Sequence, residues 1–253
     1  MDVLAWHRRY QQQAGWTRPL RDYLFQQINP AADAAVLDVG CGTGALLEEF
    51  VQRGFSNCYG LDISAANLSF ARSISAPAAR LVRGDAHQLP FPDGAFDLAV
   101  CHYTLLWVAD PMRVTAEMRR VTRPGGYVVA LAEPDYGGRI DYPAELSKLA
   151  DWQTQSLRRQ GADPCMGRKL RQVFRSAGLN AAGGILGSQW NASPKPDDSQ
   201  ADRVENAVLA ADLQTLPLAP GQVEELLRLD QQAQRSGERL LYIPTFYAWS
   251  QVP

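Results

Sequence analysis

The sequence predicts an α/β fold built on a Rossmann-like, doubly wound, mostly parallel sheet. Two observations carry that prediction. Short apolar runs alternate with helical stretches between residues 35 and 132, and such alternation implies crossover connections in a parallel sheet. A glycine loop, Gly40-Cys41-Gly42-Thr43-Gly44, also sits between the first apolar run and the first helix. There the backbone turns sharply and approaches a ligand with no Cβ in the way. With 253 residues, 46% of them hydrophobic, the chain has room for one α/β domain with an elaboration, or for two small domains.

The elements follow in order. Leu4, Trp6, Tyr10, Leu20, Leu24 and Ile28 recur at helical spacing, so Val3–Ile28 reads as one or two helices. Gly15 would separate the pieces, and Asn29-Pro30 would end the second. Val36–Val39 is the first strand, Ala45–Arg53 a helix, Cys58–Leu61 the second strand and Ala65–Ser75 a helix. Ala79–Val82 and Phe96–Cys101 are the third and fourth strands, and Pro111–Val121 a helix. Tyr127–Ala132 is the fifth strand, opened by a Pro124-Gly125-Gly126 turn. These runs are mostly apolar, as strands covered on both faces require. Pro134–Pro143 reads as a loop, followed by helices near Glu145–Arg159 and Arg168–Ala177, with Gly178 as a C-cap. Leu179–Trp190 is a glycine-interrupted strand and Ser193–Ser199 a linker. Ala201–Leu213 and Gln222–Arg235 are amphipathic helices, and Leu240–Val252 is a strand rich in β-branched and aromatic residues.

A formal net charge of -2 leaves no electrostatic footprint for nucleic acid. No apolar run approaches the roughly 18 residues of a membrane span, and Met1–Tyr10 lacks the apolar region of a signal peptide. The expected compartment is the cytoplasm, with no membrane partner. Cys41, Cys58, Cys101 and Cys165 form no CxxC pair, and their spacing suits neither zinc nor a disulfide framework. No metal is expected.

Three motifs carry chemistry. The first is Val36-Leu37-Asp38-Val39-Gly40-Cys41-Gly42-Thr43-Gly44, whose following helix start favours an anion. Gly40-x-Gly42-x-x-Ala45 equally fits a dinucleotide fingerprint, so a nicotinamide oxidoreductase stays open on this motif. The second is Asp62, at the end of the second strand. It would accept from a ribose diol or cap the next helix. The third is Gly84-Asp85-Ala86-His87, followed by Leu89-Pro90-Phe91-Pro92-Asp93-Gly94-Ala95-Phe96-Asp97, which the dinucleotide fingerprint does not demand.

With a late Arg123-Pro124-Gly125-Gly126 turn, these motifs resemble in order those of the class I S-adenosylmethionine-dependent methyltransferases, in the UbiE or "type 11" group. The resemblance runs from about Ala35 to Ala132 and is much weaker outside that span. It implies S-adenosylmethionine as cofactor and a set of roles. The loop of Gly40, Cys41, Gly42, Thr43 and Gly44 would pass under the methionine portion, with Asp38 organising the turn. Asp62 would hold the ribose hydroxyls, and Ile63 would pack on the adenine. Asp85 and the Ala86 amide would meet the adenine, with His87 at the rim. Cys101 and His102 would line the sulfonium end. The N-terminal helices would form a lid carrying Tyr10, Trp16 and Arg18, Arg18 pairing with the cofactor carboxylate. The sheet would close with an antiparallel last strand, leaving Asn191–Arg239 as a helical insertion near the active-site mouth or in an oligomer contact.

Methyl transfer from a sulfonium needs mainly alignment and exclusion of water; a base helps only where the nucleophile must lose a proton. His102 is the first candidate base, and Tyr136 a second candidate catalytic group. Tyr103, Glu133, Asp135, Tyr136 and Arg139 are candidate substrate contacts, being at strand carboxyl ends; Trp107 is expected in the core. No [DN]PPY follows the fourth strand, which argues against amino-group methylation of DNA bases or of protein glutamine. The expected function is methyl transfer to a small molecule, and the alternative is a cofactor-binding subunit without catalysis.

Overall fold

The computed structural model describes residues 2–74, 79–187, 208–213, 215–218 and 221–253. Its first element, α1 (Val3–Ile28), is one unbroken helix, where the sequence allowed two. The reason is its buried stripe. His7, Ala14, Thr17, Arg21 and Leu24 lie on one face at helical spacing, while Gly15 and Pro19 are exposed. A Cβ at Gly15 would meet nothing, so packing carries the helix through residues of poor propensity. Asp2 caps its start, accepting from the Ala5 amide at 2.7 Å, and Asn29 ends it in the left-handed region.

Strands β1 (Ala35–Val39), β2 (Asn57–Asp62), β3 (Ala79–Arg83), β4 (Phe96–Cys101) and β5 (Thr122–Pro134) are parallel. Helices α2 (Ala45–Gln52), α3 (Ala65–Ile74) and α4 (Pro111–Val121) make the crossovers. Strand β5 takes in the expected Pro124-Gly125-Gly126 turn, with a register shift against β4 between Phe96 and Leu98. The stretch expected as loop after Pro134 holds a short strand, β6 (Ile140–Tyr142). Then come α5 (Ser147–Arg159), α6 (Leu170–Ser176), β7 (Ala182–Ile185), α7 (Gln222–Ser236), β8 (Leu240–Tyr242) and β9 (Thr245–Gln251).

The main sheet has the order β3-β2-β1-β4-β5-β9-β7, and β9 runs antiparallel to both neighbours. The single strand expected over Leu240–Val252 is two, separated at Ile243-Pro244: β8 pairs with β6 in a separate ribbon and β9 joins the sheet. Proline cannot donate to a ladder, so the break falls there. The linker Ser193–Ser199, the beginning of the helix expected over Ala201–Leu213, Ser75 and the end of Leu179–Trp190 lie outside the described residues; residues 208–213 are helical.

Alternation along the strands fills both faces. Val36, Leu98 and Val100 pack with α1 and α2, while Leu37, Val39, Ala99 and Cys101 pack with α4 and α6. A smaller cluster of Leu146, Leu149, Leu213, Leu216 and Leu226 joins α5 to the insertion. Strand order reverses between β1 and β4, and in such sheets the crevice at the carboxyl ends of the reversing strands is where ligands bind. Among the described residues no helix is long and apolar enough to cross a membrane.

Candidate functional site

The loops after β1 to β5 converge on a cavity of about 500 Å³ at that switch point, with α1, α5 and residues 208–213 completing its walls. Gly40 (φ +75°) and Gly42 (φ +53°) form its floor. A Cβ at Gly40 would lie 2.5 Å from Thr104 Cγ2, and one at Gly42 would lie 3.1 Å from the Tyr10 ring. The Gly42 amide donates to Asp62 Oδ2 at 2.8 Å, and the Ser64 amide donates to Asp62 Oδ1 at 2.8 Å. Asp62 thus braces the loop and the next helix while lining the cavity.

Asp38 lines the cavity yet is only 2% exposed. Burial, reinforced by Asp62 and opposed by Arg21, pushes its carboxyl up to about 7. Ile63 is 68% exposed at the rim. Ala86, Asp85 and His87 lie beside it in the lining. The Asp110 amide donates to His87 Nε2 at 3.1 Å, so the proton sits on Nδ1, which contacts Asp85 Oδ1 at 2.7 Å. Hydrogen bonds from the His87 amide and ring hold Asp85 below the usual carboxylate range.

Cys41, Tyr10, His102, Tyr103 and Tyr136 also line the cavity. Tyr103 adopts φ +51°, a rare conformation for a bulky residue and one that occurs at functional sites. His102 Nε2 lies 2.9 Å from Thr17 Oγ1. Burial, then the Arg21 guanidinium, pushes His102 down to about 3. Its imidazole is therefore neutral and weakly basic at physiological pH, which speaks against the expected general base.

Several expected contacts are not in the lining. Thr43 is fully buried and bonds His7 Nδ1 at 2.9 Å, tethering α1 to the loop. Gly44 serves as the N-cap of α2, at φ +83°. Cys101 is buried within the sheet. Arg18 is exposed, since it faces away from the buried stripe of α1; Arg9, about two and a half helical turns earlier, lines the cavity instead, 4.8 Å over the Trp16 ring.

Glu133 is fully buried and accepts from the amides of Thr104 (3.0 Å), Leu105 (2.8 Å) and Leu106 (3.0 Å). It holds the loop behind the cavity wall, and burial pushes it up to about 7 against those three donors. Asp135 accepts from the Gly137 amide and pairs with Arg168. Arg139 is buried against Asp141 and donates to Gln153 Oε1 at 2.6 Å. Trp107, expected in the core, is 47% exposed and lines the cavity.

The sequence reading missed Trp6, Arg9, Gln13, Gln153, Gln160, Val208 and Asp212 in the lining. Of these, Gln153 lies on α5 and Gln160 caps its C-terminal end. It also missed Arg21, fully buried and bonded to Thr17, the Ala14 carbonyl and Glu49.

Residues 37–130 match the family model described as a methyltransferase domain. The demethylmenaquinone methyltransferase of Geobacillus kaustophilus is 34% identical over 180 residues, which are 63% of this chain and 76% of that protein. The chain belongs to the class I S-adenosylmethionine-dependent methyltransferases, UbiE or type 11 group. Its cofactor is S-adenosylmethionine. The demethylmenaquinone methyltransferase of Bacillus licheniformis is 39% identical over 126 residues, 47% of this methyltransferase and 53% of the relative. The chain spans about half the length of the first curated relatives it matches. Geranyl diphosphate C-methyltransferase from Streptomyces coelicolor, solved with Mg2+, geranyl diphosphate and S-adenosyl-L-homocysteine, shares the fold at a TM-score of 0.57 and 16% identity, over 93% of this chain and 77% of that one.

Proposed function

We propose that this methyltransferase transfers a methyl group to a small-molecule acceptor bound in the inner part of the cavity, with residues 1–253 acting as one domain. The observation that carries this is the cavity that the cofactor-side loops share with the aromatic residues Trp6, Tyr103, Trp107 and Tyr136. Such a concave, mostly apolar space suits a small ligand, and the curated relatives named for demethylmenaquinone point the same way.

The residues fit the cofactor. The loop at Gly40 and Gly42 lines the cavity with bare backbone, Ile63 offers an exposed apolar face for the adenine, and Asp62 lines the cavity beside them. Asp38, buried and with no hydrogen bond to its carboxyl among the described residues, suits a cationic amino group. Arg9, rather than Arg18, suits the carboxylate. The bound cofactor supplies a methyl group on a sulfonium that leaves as a neutral thioether. The chain's own residues then orient the acceptor and exclude water, while neutral His102 bonds to Thr17 rather than removing a proton.

Calorimetric titration with S-adenosylhomocysteine and with NAD, paired with labelled-methyl transfer to a metabolite extract, tests the reading. Asp62→Ala, Asp85→Ala and Arg9→Ala are each expected to weaken S-adenosylhomocysteine binding about tenfold or more, as lost hydrogen bonds to charged groups do, and Arg18→Ala is expected to leave it unchanged. Binding of NAD alone would sink the assignment, and tight cofactor binding without transfer to any acceptor would favour a non-catalytic subunit.

Asp38 makes the free protein pH-sensitive. Its folded carboxyl holds a proton up to about 7, while the unfolded one releases it near 4. Between those values the native state binds more protons, so stability is full at low pH and falls as pH rises. Glu133 acts in the same direction. Urea unfolding between pH 4 and 7 should therefore show Asp38→Asn with a shallower decline, by up to about 1.4 kcal/mol per pH unit. Parallel pH profiles for the two proteins would refute it.

A further inference from the structure

The cavity extends beyond the cofactor-side loops to a polar end that methyl-donor binding does not explain. There α5 turns Gln153, Ser156 and Gln160 toward one residue of the insertion, Asp212. Gln153 Nε2 donates to Asp212 Oδ2 at 3.1 Å, Gln160 Nε2 donates to Oδ1 at 3.2 Å, and Ser156 Oγ donates to the Asp212 carbonyl at 2.6 Å. Asp212 is 8% exposed, and it lines the cavity with Gln153 and Gln160.

Its carboxylate has no counter-charge among the described residues. Arg139 stops at Gln153 Oε1 and is matched by Asp141. Arg239 is matched by Asp141 and Asp230. That cluster of two guanidinium groups and two carboxylates is neutral by itself, and among the described residues no cation pairs with Asp212. A carboxylate offers about four acceptor positions, and the two amides use two of them. A buried carboxylate with neutral partners alone is costly unless a further donor reaches it. The open side is the cavity, so the donor that fits is a ligand's.

We infer that Asp212 is the specificity-determining residue of the acceptor end, and that the acceptor presents a hydroxyl or amine hydrogen to it from an apolar ring body. The ring body follows from Leu157 and Val208, each four helical positions from Gln153 or Asp212, and from the aromatic rings of Trp107 and Tyr136 in the same lining. A group that only accepts, such as an ether, leaves the carboxylate unpaired and faces it with repelling lone pairs. This assignment rests on the methyltransferase reading in one respect, that the cofactor fills the glycine-loop end and leaves this end to the acceptor.

The test uses the full chain saturated with S-adenosylhomocysteine and three probes of one shape: 1-naphthol, 1-naphthylamine and 1-methoxynaphthalene. The two donors are expected to bind about tenfold tighter than the ether, as a hydrogen bond to a charged group does. Asp212→Asn should bring all three within about twofold while leaving S-adenosylhomocysteine affinity unchanged. Equal affinities in the wild type, or a donor preference that survives Asp212→Asn, overturn the assignment. If Asp212→Asn does not fold, the wild-type comparison decides by itself. Failure to bind S-adenosylhomocysteine counts against the cofactor reading alone. The three probes are then compared on the free protein, where the same order is expected.

Discussion

Gly40→Ala is expected to lower cofactor affinity at least a hundredfold and to destabilise the protein by about 2–4 kcal/mol. Left-handed backbone at a residue bearing a Cβ costs roughly 1–2 kcal/mol, and Gly40 stands at φ +75°. The added methyl would also sit 2.5 Å from Thr104 Cγ2 and 2.6 Å from Thr104 Oγ1. Thr104 cannot retreat freely, because its amide is bound by Glu133 and its hydroxyl donates to the Val39 carbonyl at 3.2 Å. The loop must therefore shift, and with it the cradle that the cofactor rests on. Gly15→Ala supplies the opposite sign. That glycine lies on the exposed face of α1 with open space around it, so alanine should raise stability by roughly 0.5–1 kcal/mol. Urea midpoints and S-adenosylhomocysteine titrations of both variants check the pair; equal effects would mean that the loop is not strained as described.

Glu133→Ala should cost about 3–5 kcal/mol, read as a lower urea midpoint with an unchanged slope. The side chain is fully buried and serves three consecutive backbone amides. Removing it leaves those donors unsatisfied, at roughly 1–3 kcal/mol each before relaxation. Glu133→Gln separates the two oxygens. A glutamine that keeps its carbonyl at the Oε1 position still serves Thr104 and Leu105, but sets its amide against the Leu106 N–H. An intermediate loss is expected, together with weaker acceptor binding, because Leu106 lines the cavity. A loss under about 1 kcal/mol in the alanine variant would show that water replaces the carboxylate without difficulty.

Legibility in the sequence followed distance along the chain. The strands from Val36 to Ala132 were readable because burial on both faces demands mostly apolar runs, and the glycine loop because positive φ favours glycine. Asp62 was readable because its position at a strand end is local. Glu133 was misread for the same locality. An acid following a strand looks identical whether it faces a ligand or turns inward to collect amides, and the three amides it collects lie 27 to 29 positions earlier. Arg18 was named and Arg9 missed because the rotation of α1 is set by what it packs on, chiefly Arg21 against Glu49. Gly15 suggested a break that this packing overrides.

The acceptor end was the least legible. Asp212 meets Gln153 across 59 positions and Ser156 across 56, and no periodicity links them. By itself, then, the sequence determined the sheet, the glycine loop and the identity of the methyl donor, because backbone geometry and a common cofactor impose residue types at short, fixed spacings. Only the tertiary structure decided which charged groups face the cavity. Helix rotation and long-range hydrogen bonds set that choice, and they turned Glu133, Asp135 and Arg139 into supports while placing Arg9 and Asp212 in the cavity lining.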